Sequence, residues 1–246
     1  MKLPYIFAHR GGMAVCIENT ISCFKKAVNV GAGIESDVQL TKDHQLICFH
    51  DPFIGIGDRQ IFVKDLTFQQ LNKVNFGDQR KVPRVREVFE TFLDQKSNLR
   101  YSFDIRGKEV GQKLIDLAME YQILGMIEIT ERRLTIIRAL RTYNKDVPLV
   151  HTLNESIRKI TTDNVKFSKL LNLGVKAINL KGLRVNFENL KLIIDNSLEC
   201  YAWDINREKR MMRLLNLKYK DHGIAAIYTD NPKLLLNCID NITPER

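Results

Sequence analysis

Two histidines, a pair of acids two residues apart and several arginines stand at the ends of short apolar runs in this sequence. His9 and Arg10 close YIFA, Glu35 and Asp37 lie in GIESDV, His50 and Asp51 close LICF, Asp104 and Arg106 follow RYSF, and Trp203 closes ECYA. Glu35 and Asp37 share one face if their segment is a strand. Two carboxylates side by side in a desolvated place are unfavourable unless a cation or a proton neutralises them. Asp104, on the next central strand, could supply a third oxygen. Carboxylate oxygens completed by water suit Mg2+ or Ca2+, whereas zinc prefers His and Cys. The residues alone also allow solvated strand-end acids or salt-bridge partners. A pair of imidazoles at His9 and His50 suits phosphodiester cleavage, in which one group removes a proton and the other protonates the leaving oxygen. Arg10, and Arg106 with it, are candidates to grip phosphate oxygens in a forked geometry. His44 sits in a polar turn, TKDHQ, and is expected in solvent, while His151 and His222 have no evident carboxylate or arginine partner.

The elements that must position these groups alternate along the chain. Strand patterns occur at 5–9, 33–40, 100–105, 126–130, 148–153, 176–180, 199–205 and 225–230, with segments of helical period between them. In NTISCFKKAVNVG, for example, Ile21, Phe24, Ala27 and Val28 fall on one helical face. A helix is also expected within 154–173. Strands each followed by a helix predict a closed parallel barrel, a (β/α)8 TIM barrel. An open doubly wound sheet fits less well, because Gly55-Ile56-Gly57 lacks both the third glycine and the helix of a dinucleotide fingerprint. One segment breaks the alternation. After the second strand DHQLICFH reads as a hairpin return, and about 51–82 reads as a small insertion over the barrel mouth, within a single domain spanning 1–246.

The chain has 246 residues, of which 44% are hydrophobic and 27% charged, and this composition belongs to a globular protein with a substantial core. The formal charge of +9 is compatible with nucleic acid, an anionic surface or a small anionic substrate. Its basic residues are spread over helix faces such as ERRLTIIRALR, so a nucleic-acid partner is not expected and a small-molecule substrate is. The Leu3 to Ala8 run is too short for a conventional secretory leader, and no stretch is long enough for membrane insertion. The five cysteines follow no metal-ligand or CxxC spacing, which predicts reduced structural thiols and a cytoplasmic setting. Oligomeric state leaves no trace in the sequence.

AHRGG, IENT, GAGIESDVQLTKDHQLICFHD, YSFDIRGK, YAWDIN and HGIAAIYTDNPKLLL resemble, in order and spacing, the motifs of the glycerophosphodiester phosphodiesterases. The resemblance covers nearly the whole chain. It implies a metal-dependent hydrolysis of glycerophosphodiesters to sn-glycerol 3-phosphate and an alcohol. His9 and His50 would be the acid/base pair, and Glu35, Asp37 and Asp104 would hold Mg2+ or Ca2+. Arg10 would contact phosphate, Glu18 and Asn19 would organise the site from the first loop, and Trp203 would wall the glycerol or alcohol. The sequence departs from the pattern at Ile17 (for Pro), Asp104 (for Glu) and Arg106 (for Lys). IEIT at 127–130 also lacks the usual Ser-Phe, and Glu128 is expected to add an acid near the mouth. Asp104 also resembles the spider-type sphingomyelinases D, so a phospholipase D-like action on lysophospholipid or sphingomyelin is the alternative. A non-catalytic phosphodiester-binding relative is a third reading.

Overall fold

A computed structural model describes residues 3–57, 59–95 and 99–242; the outermost parts of the expected 1–246 unit and residue 58 of the expected insertion lie outside them. The chain opens with strand β1 (Tyr5–Ala8), helix α1 (Ile21–Asn29) and strand β2 (Gly33–Leu40). Short strands β3 (Leu46–Cys48), β4 (Phe53–Ile56) and β5 (Arg59–Phe62) come next, then helices α2 (Phe68–Leu71) and α3 (Val85–Phe92). From there strand and helix alternate: β6 (Tyr101–Ile105), α4 (Lys108–Glu120), β7 (Ile127–Glu131), α5 (Leu134–Tyr143), β8 (Leu149–Thr152) and α6 (Phe167–Asn172). The remainder is β9 (Val175–Lys181), α7 (Phe187–Asp195), β10 (Glu199–Trp203), α8 (Glu208–Leu215), β11 (Ala226–Thr229) and α9 (Pro232–Ile242).

Strands β1, β2 and β6 to β11 are joined in parallel, and β1 pairs with both β2 and β11, so the sheet closes into an eight-stranded barrel. This is the TIM barrel that the alternation predicts. Side chains alternate across each strand. Ile34, Val38, Phe103, Ile127 and Ile129 face the helices and join the main core. Burying each such residue contributes about 1.5–3 kcal/mol. Phe7, Val150, Ala177, Tyr201, Ala226 and Tyr228 fill the barrel interior below the mouth. Gly33 starts β2 where a Cβ would lie 2.5 Å from Tyr5 Cε1 and 2.7 Å from the Arg100 carbonyl oxygen, so only glycine admits the Tyr5 ring there.

The segment after β2 returns as expected: β3 runs antiparallel to β2, with Val38 opposite Cys48. The insertion builds a hairpin of β4 and β5 and buries Ile54, Val63, Leu71 and Val82 against Ile47 and Phe49.

Three expectations are corrected. Residues 154–173 hold only the short α6, because local side chains take the backbone groups that a helix would need. Asn154 Oδ1 accepts from the Ser156 N–H at 3.0 Å, and Thr161 and Asn164 bond each other's N–H groups at 2.9 and 3.3 Å. Glu128 is not at the mouth. It lies on β7 opposite Ser102, near the strand's beginning, ion-paired with Arg100 and with Lys176 at 2.8 Å and accepting from Tyr201 Oη at 3.2 Å. The cysteines are not all reduced. Cys16 and Cys23, with Cα atoms 5.4 Å apart, form a disulfide across the first βα loop, while Cys48, Cys200 and Cys238 are free and buried.

Candidate active site

A cavity of about 670 Å3 opens at the carboxyl ends of the barrel strands, where such folds carry their chemistry. His9, Arg10, Glu35, Asp37, His50, Asp104, Arg106 and Trp203 all line it, although they come from positions spread over most of the chain. Glu18 and Asn19 stand behind this lining.

The first loop turns sharply to present its groups. Arg10, Gly11 and Gly12 have φ of 49°, 88° and 91°, a left-handed run that only glycine adopts without strain at the latter two positions. This turn aims the Arg10 N–H at Glu35 Oε2, 2.7 Å away. The Arg10 guanidinium meets Glu18 at 2.9 Å and Asp37 at 3.4 Å, so Glu18 steers the arginine rather than facing the cavity. Arg80 from the insertion reaches the same Glu18 at 3.5 Å and ties the insertion to the loop. Asn19 is buried, with its side-chain oxygen accepting from Ser36 Oγ at 2.7 Å.

His9 Nδ1 bonds Asp230 Oδ1 at 2.7 Å, and Asp230 in turn accepts from Asn206 Nδ2 at 2.6 Å. Burial opposes a charge on the imidazole, but Glu35 and the Asp230 bond outweigh it and raise His9 to about 9. His50 is likewise held through Nδ1, by Asp51 at 2.7 Å. With Nδ1 engaged in each ring, Nε2 is the atom left for a ligand. Gln39 fixes the His50 segment by donating to the carbonyls of Phe49 at 2.7 Å and Asp51 at 2.9 Å. Arg106 donates to the His50 carbonyl.

Register sets Asp37 beside Asp104 and Asp104 beside Thr130 on adjacent strands. Burial, with a further push from Asp37, lifts the Glu35 carboxyl to about 7 even though His9 opposes it. Asp37 is raised by burial against the pull of His50 and Arg10. Asp104 is raised well above the usual range by desolvation and then by Glu35 and Asp37. Its side chain opens onto the cavity. Three mutually repelling carboxylates are the chemistry a hard divalent cation relieves. The donor set therefore fits such an ion in type and charge, although among the described residues no three His, Cys, Asp or Glu side chains are arranged to hold one as they stand.

Sequence reasoning missed Asp230, whose strand-end TD offered a signal, and the far rim. There Glu131 is gripped by Arg133 Nη2 at 2.7 Å and Nε at 2.9 Å, and Thr130, Thr152 and Asn179 line the wall. His151 is buried with Nδ1 3.2 Å from the Glu131 carbonyl, and His44 pairs with Glu109 at 3.2 Å on the surface.

Comparison with known proteins matches residues 9–234 to the Glycerophosphoryl diester phosphodiesterase family. A glycerophosphodiester phosphodiesterase of Caldanaerobacter subterraneus is 26% identical over 259 residues, covering 95% of this chain and 97% of that protein. A mouse lysophospholipase D is 23% identical over 278 residues, covering 96% of this chain and 86% of its own. Among solved structures, an Oleispira antarctica phosphodiesterase in complex with the product sn-glycerol-3-phosphate superposes with a TM-score of 0.78 at 17% identity, covering 97% of each chain.

Proposed function

The chain belongs to the Glycerophosphoryl diester phosphodiesterase family, and from that premise we propose a divalent-cation-dependent hydrolase that uses His9 and His50 as acid and base. Its products are sn-glycerol 3-phosphate and an alcohol. The whole chain is read as one catalytic unit with an insertion at about 51–82. The supporting observation is the cavity itself, where two imidazoles and three carboxylates of raised pKa face one space.

Glu35, Asp37 and Asp104 would hold Mg2+ or Ca2+. When bound, the cation lowers the pKa of an attacking hydroxyl and offsets charge on the phosphoryl oxygens. The remaining work falls to this chain's own groups. Asp230 and Asp51 fix the tautomers of His9 and His50, so that each ring presents Nε2; one removes a proton from the attacking oxygen and the other protonates the leaving oxygen. Arg10, steered by Glu18 and Asp37, offers its remaining donors to a phosphoryl oxygen, and Arg106 adds positive charge from just past the end of β6. Asn19 supports the loop through Ser36, and Trp203 forms part of the wall facing the alcohol moieties.

No helix among the described residues is long and apolar enough to cross a membrane. A cytoplasmic setting remains our reading of the compartment, and the Cys16–Cys23 bond bears against it, since thiols there are kept mainly reduced.

Product analysis tests the activity. Purified protein with Mg2+ or Ca2+ is expected to release glycerol 3-phosphate from glycerophosphodiesters. Release of choline from lysophosphatidylcholine or sphingomyelin with a lipid phosphate product would establish the phospholipase D-like activity instead. Saturable binding without turnover of any diester would leave a binding protein.

A further inference from the structure

Arg10, Arg106, Arg132 and Arg133 all line the cavity, and the single charge of a phosphodiester does not need them all. Arg10 and Arg106 serve the phosphoryl group in the reading above, which leaves Arg132 and Arg133, just past the end of β7. Glu131, the buried last residue of that strand, sets what each of the two does. One of its oxygens accepts from the backbone N–H groups of Arg132 at 2.8 Å and Arg133 at 2.9 Å, which fixes the turn. The same carboxylate closes on the Arg133 guanidinium, with Nη2 at 2.7 Å and Nε at 2.9 Å, and neutralises it. Arg132 is presented by that fixed turn without such a clamp. Its side chain is 55% exposed, and its one ion pair among the described residues is with Glu155 at 3.6 Å, beyond hydrogen-bonding distance.

Glu155 lies on the loop between β8 and α6, and its other oxygen meets Lys181, the last residue of β9, at 3.1 Å. Lys181 has a second acid, Asp204, further off at 3.9 Å. Its Nζ stands 4.9 Å from the centroid of the Trp203 ring, which lines the cavity. Two cations from separate strand ends therefore converge on one half-exposed carboxylate at the rim. Ion pairs this exposed are held weakly and exchange readily for a better-fitting anion.

The chemistry of such an anion follows from the donors. A guanidinium fork beside an ammonium suits the oxygens of phosphate or carboxylate. In a glycerophosphodiester the glycerol carries no charge of its own, and the bridging phosphate belongs at the histidines. A second anionic group can therefore reside only on the alcohol. The same two cations repel an ammonium head group such as choline.

We propose that Arg132 and Lys181 form an anion subsite that selects glycerophosphodiesters whose alcohol carries its own phosphate or carboxylate, with the Glu155 carboxylate occupying the subsite until substrate displaces it. The proposal rests on the hydrolase reading above.

Steady-state hydrolysis of glycerophosphoinositol and of glycerophosphoinositol 4-phosphate, which differ by one phosphate, tests it, together with equilibrium binding of both in chelator. Wild-type kcat/KM is expected to favour the phosphorylated diester by about fivefold to tenfold at low salt. That advantage should shrink as salt screens the cations. Arg132→Gln should cut the ratio about threefold and Glu155→Gln should raise it about twofold, opposite shifts that a purely structural role would not produce. Lys218→Gln removes the same charge beside Pro4, at the amino ends of the strands, and should leave the ratio alone. Equal kcat/KM for the two diesters in wild type overturns the subsite and leaves the hydrolase standing. So does a ratio unmoved in Arg132→Gln, one not raised in Glu155→Gln, or one that falls as far in Lys218→Gln. Tighter binding of the phosphorylated diester with no turnover supports the subsite and overturns the hydrolase. Equal binding with no turnover overturns both.

Discussion

His9 and His50 each owe their orientation to a carboxylate, Asp230 in one case and Asp51 in the other. A positioned acid or base contributes about two to four orders of magnitude to such a step. His9→Ala and His50→Ala are therefore each expected to lower kcat by about that much in a protein whose circular dichroism remains that of the folded wild type; a kcat within threefold of wild type in either variant contradicts the assignment. Asp230→Asn keeps the shape but loses the charge that fixes the His9 tautomer, and kcat is expected to fall about tenfold to a hundredfold with a smaller change in KM. An equal fall in kcat for glycerophosphodiesters with KM raised tenfold would make Asp230 a substrate contact instead. The histidines and Asp104 were legible in the sequence because they stand at or near the ends of strand patterns, and Glu35 and Asp37 because they share one face of a strand. Asp230 also ends a strand pattern, but nothing in the sequence marks it as the partner of His9, which it meets across 221 residues only when the first and last strands join. Glu128 shows the opposite failure, since an acid one position into a strand reads like one at its end until register places it beside Arg100 and Lys176.

Strands and helices were more legible than loops, and the reason is periodicity. All eight barrel strands coincide with runs of apolar or β-branched residues, because each must face helices on one side and the barrel interior on the other. The stretch before α6 lies within the 154–173 interval expected to hold a helix. Asn154, Thr161 and Asn164 instead close turns, and competition by short polar side chains is invisible to a count of apolar spacing. At β2 the demand on the element is steric. Gly33→Ala would drive a methyl group against Tyr5 and the Arg100 carbonyl, and the expected loss is about 1–3 kcal/mol, read as a lower urea midpoint. An unchanged midpoint would mean that the Tyr5 ring yields without cost.

At the scale of the whole molecule, the barrel gathers charge that its core alone would not tolerate. Glu35 has a folded pKa of about 7 against an ordinary 4.5, so the fold binds its proton more tightly than the unfolded chain does. That contribution is fully present below about 4.5 and is lost as pH rises through about 7. His9, raised to about 9 from 6.5, acts in the same direction, its contribution present below 6.5 and lost as pH rises through about 9. In chelator, the wild-type melting temperature relative to that of Glu35→Gln should therefore decline between about pH 5 and pH 8. A difference that stays flat across that range would show that Glu35 is not held protonated by its surroundings. Added Mg2+ or Ca2+ should raise the wild-type midpoint more at the upper end of the range, where the cation need not displace a proton. The disulfide is the feature that composition misjudged, since an odd count without a motif says nothing about which two thiols a loop brings together.

The most direct test follows glycerol 3-phosphate release in one preparation of wild-type protein, first in excess chelator and then with Mg2+ or Ca2+ restored. Carboxylates from β2 and β6 holding an ion beside His9 and His50 require turnover to vanish on chelation and return with the cation, and to return only weakly in Glu35→Gln. Full turnover in chelator would contradict the account.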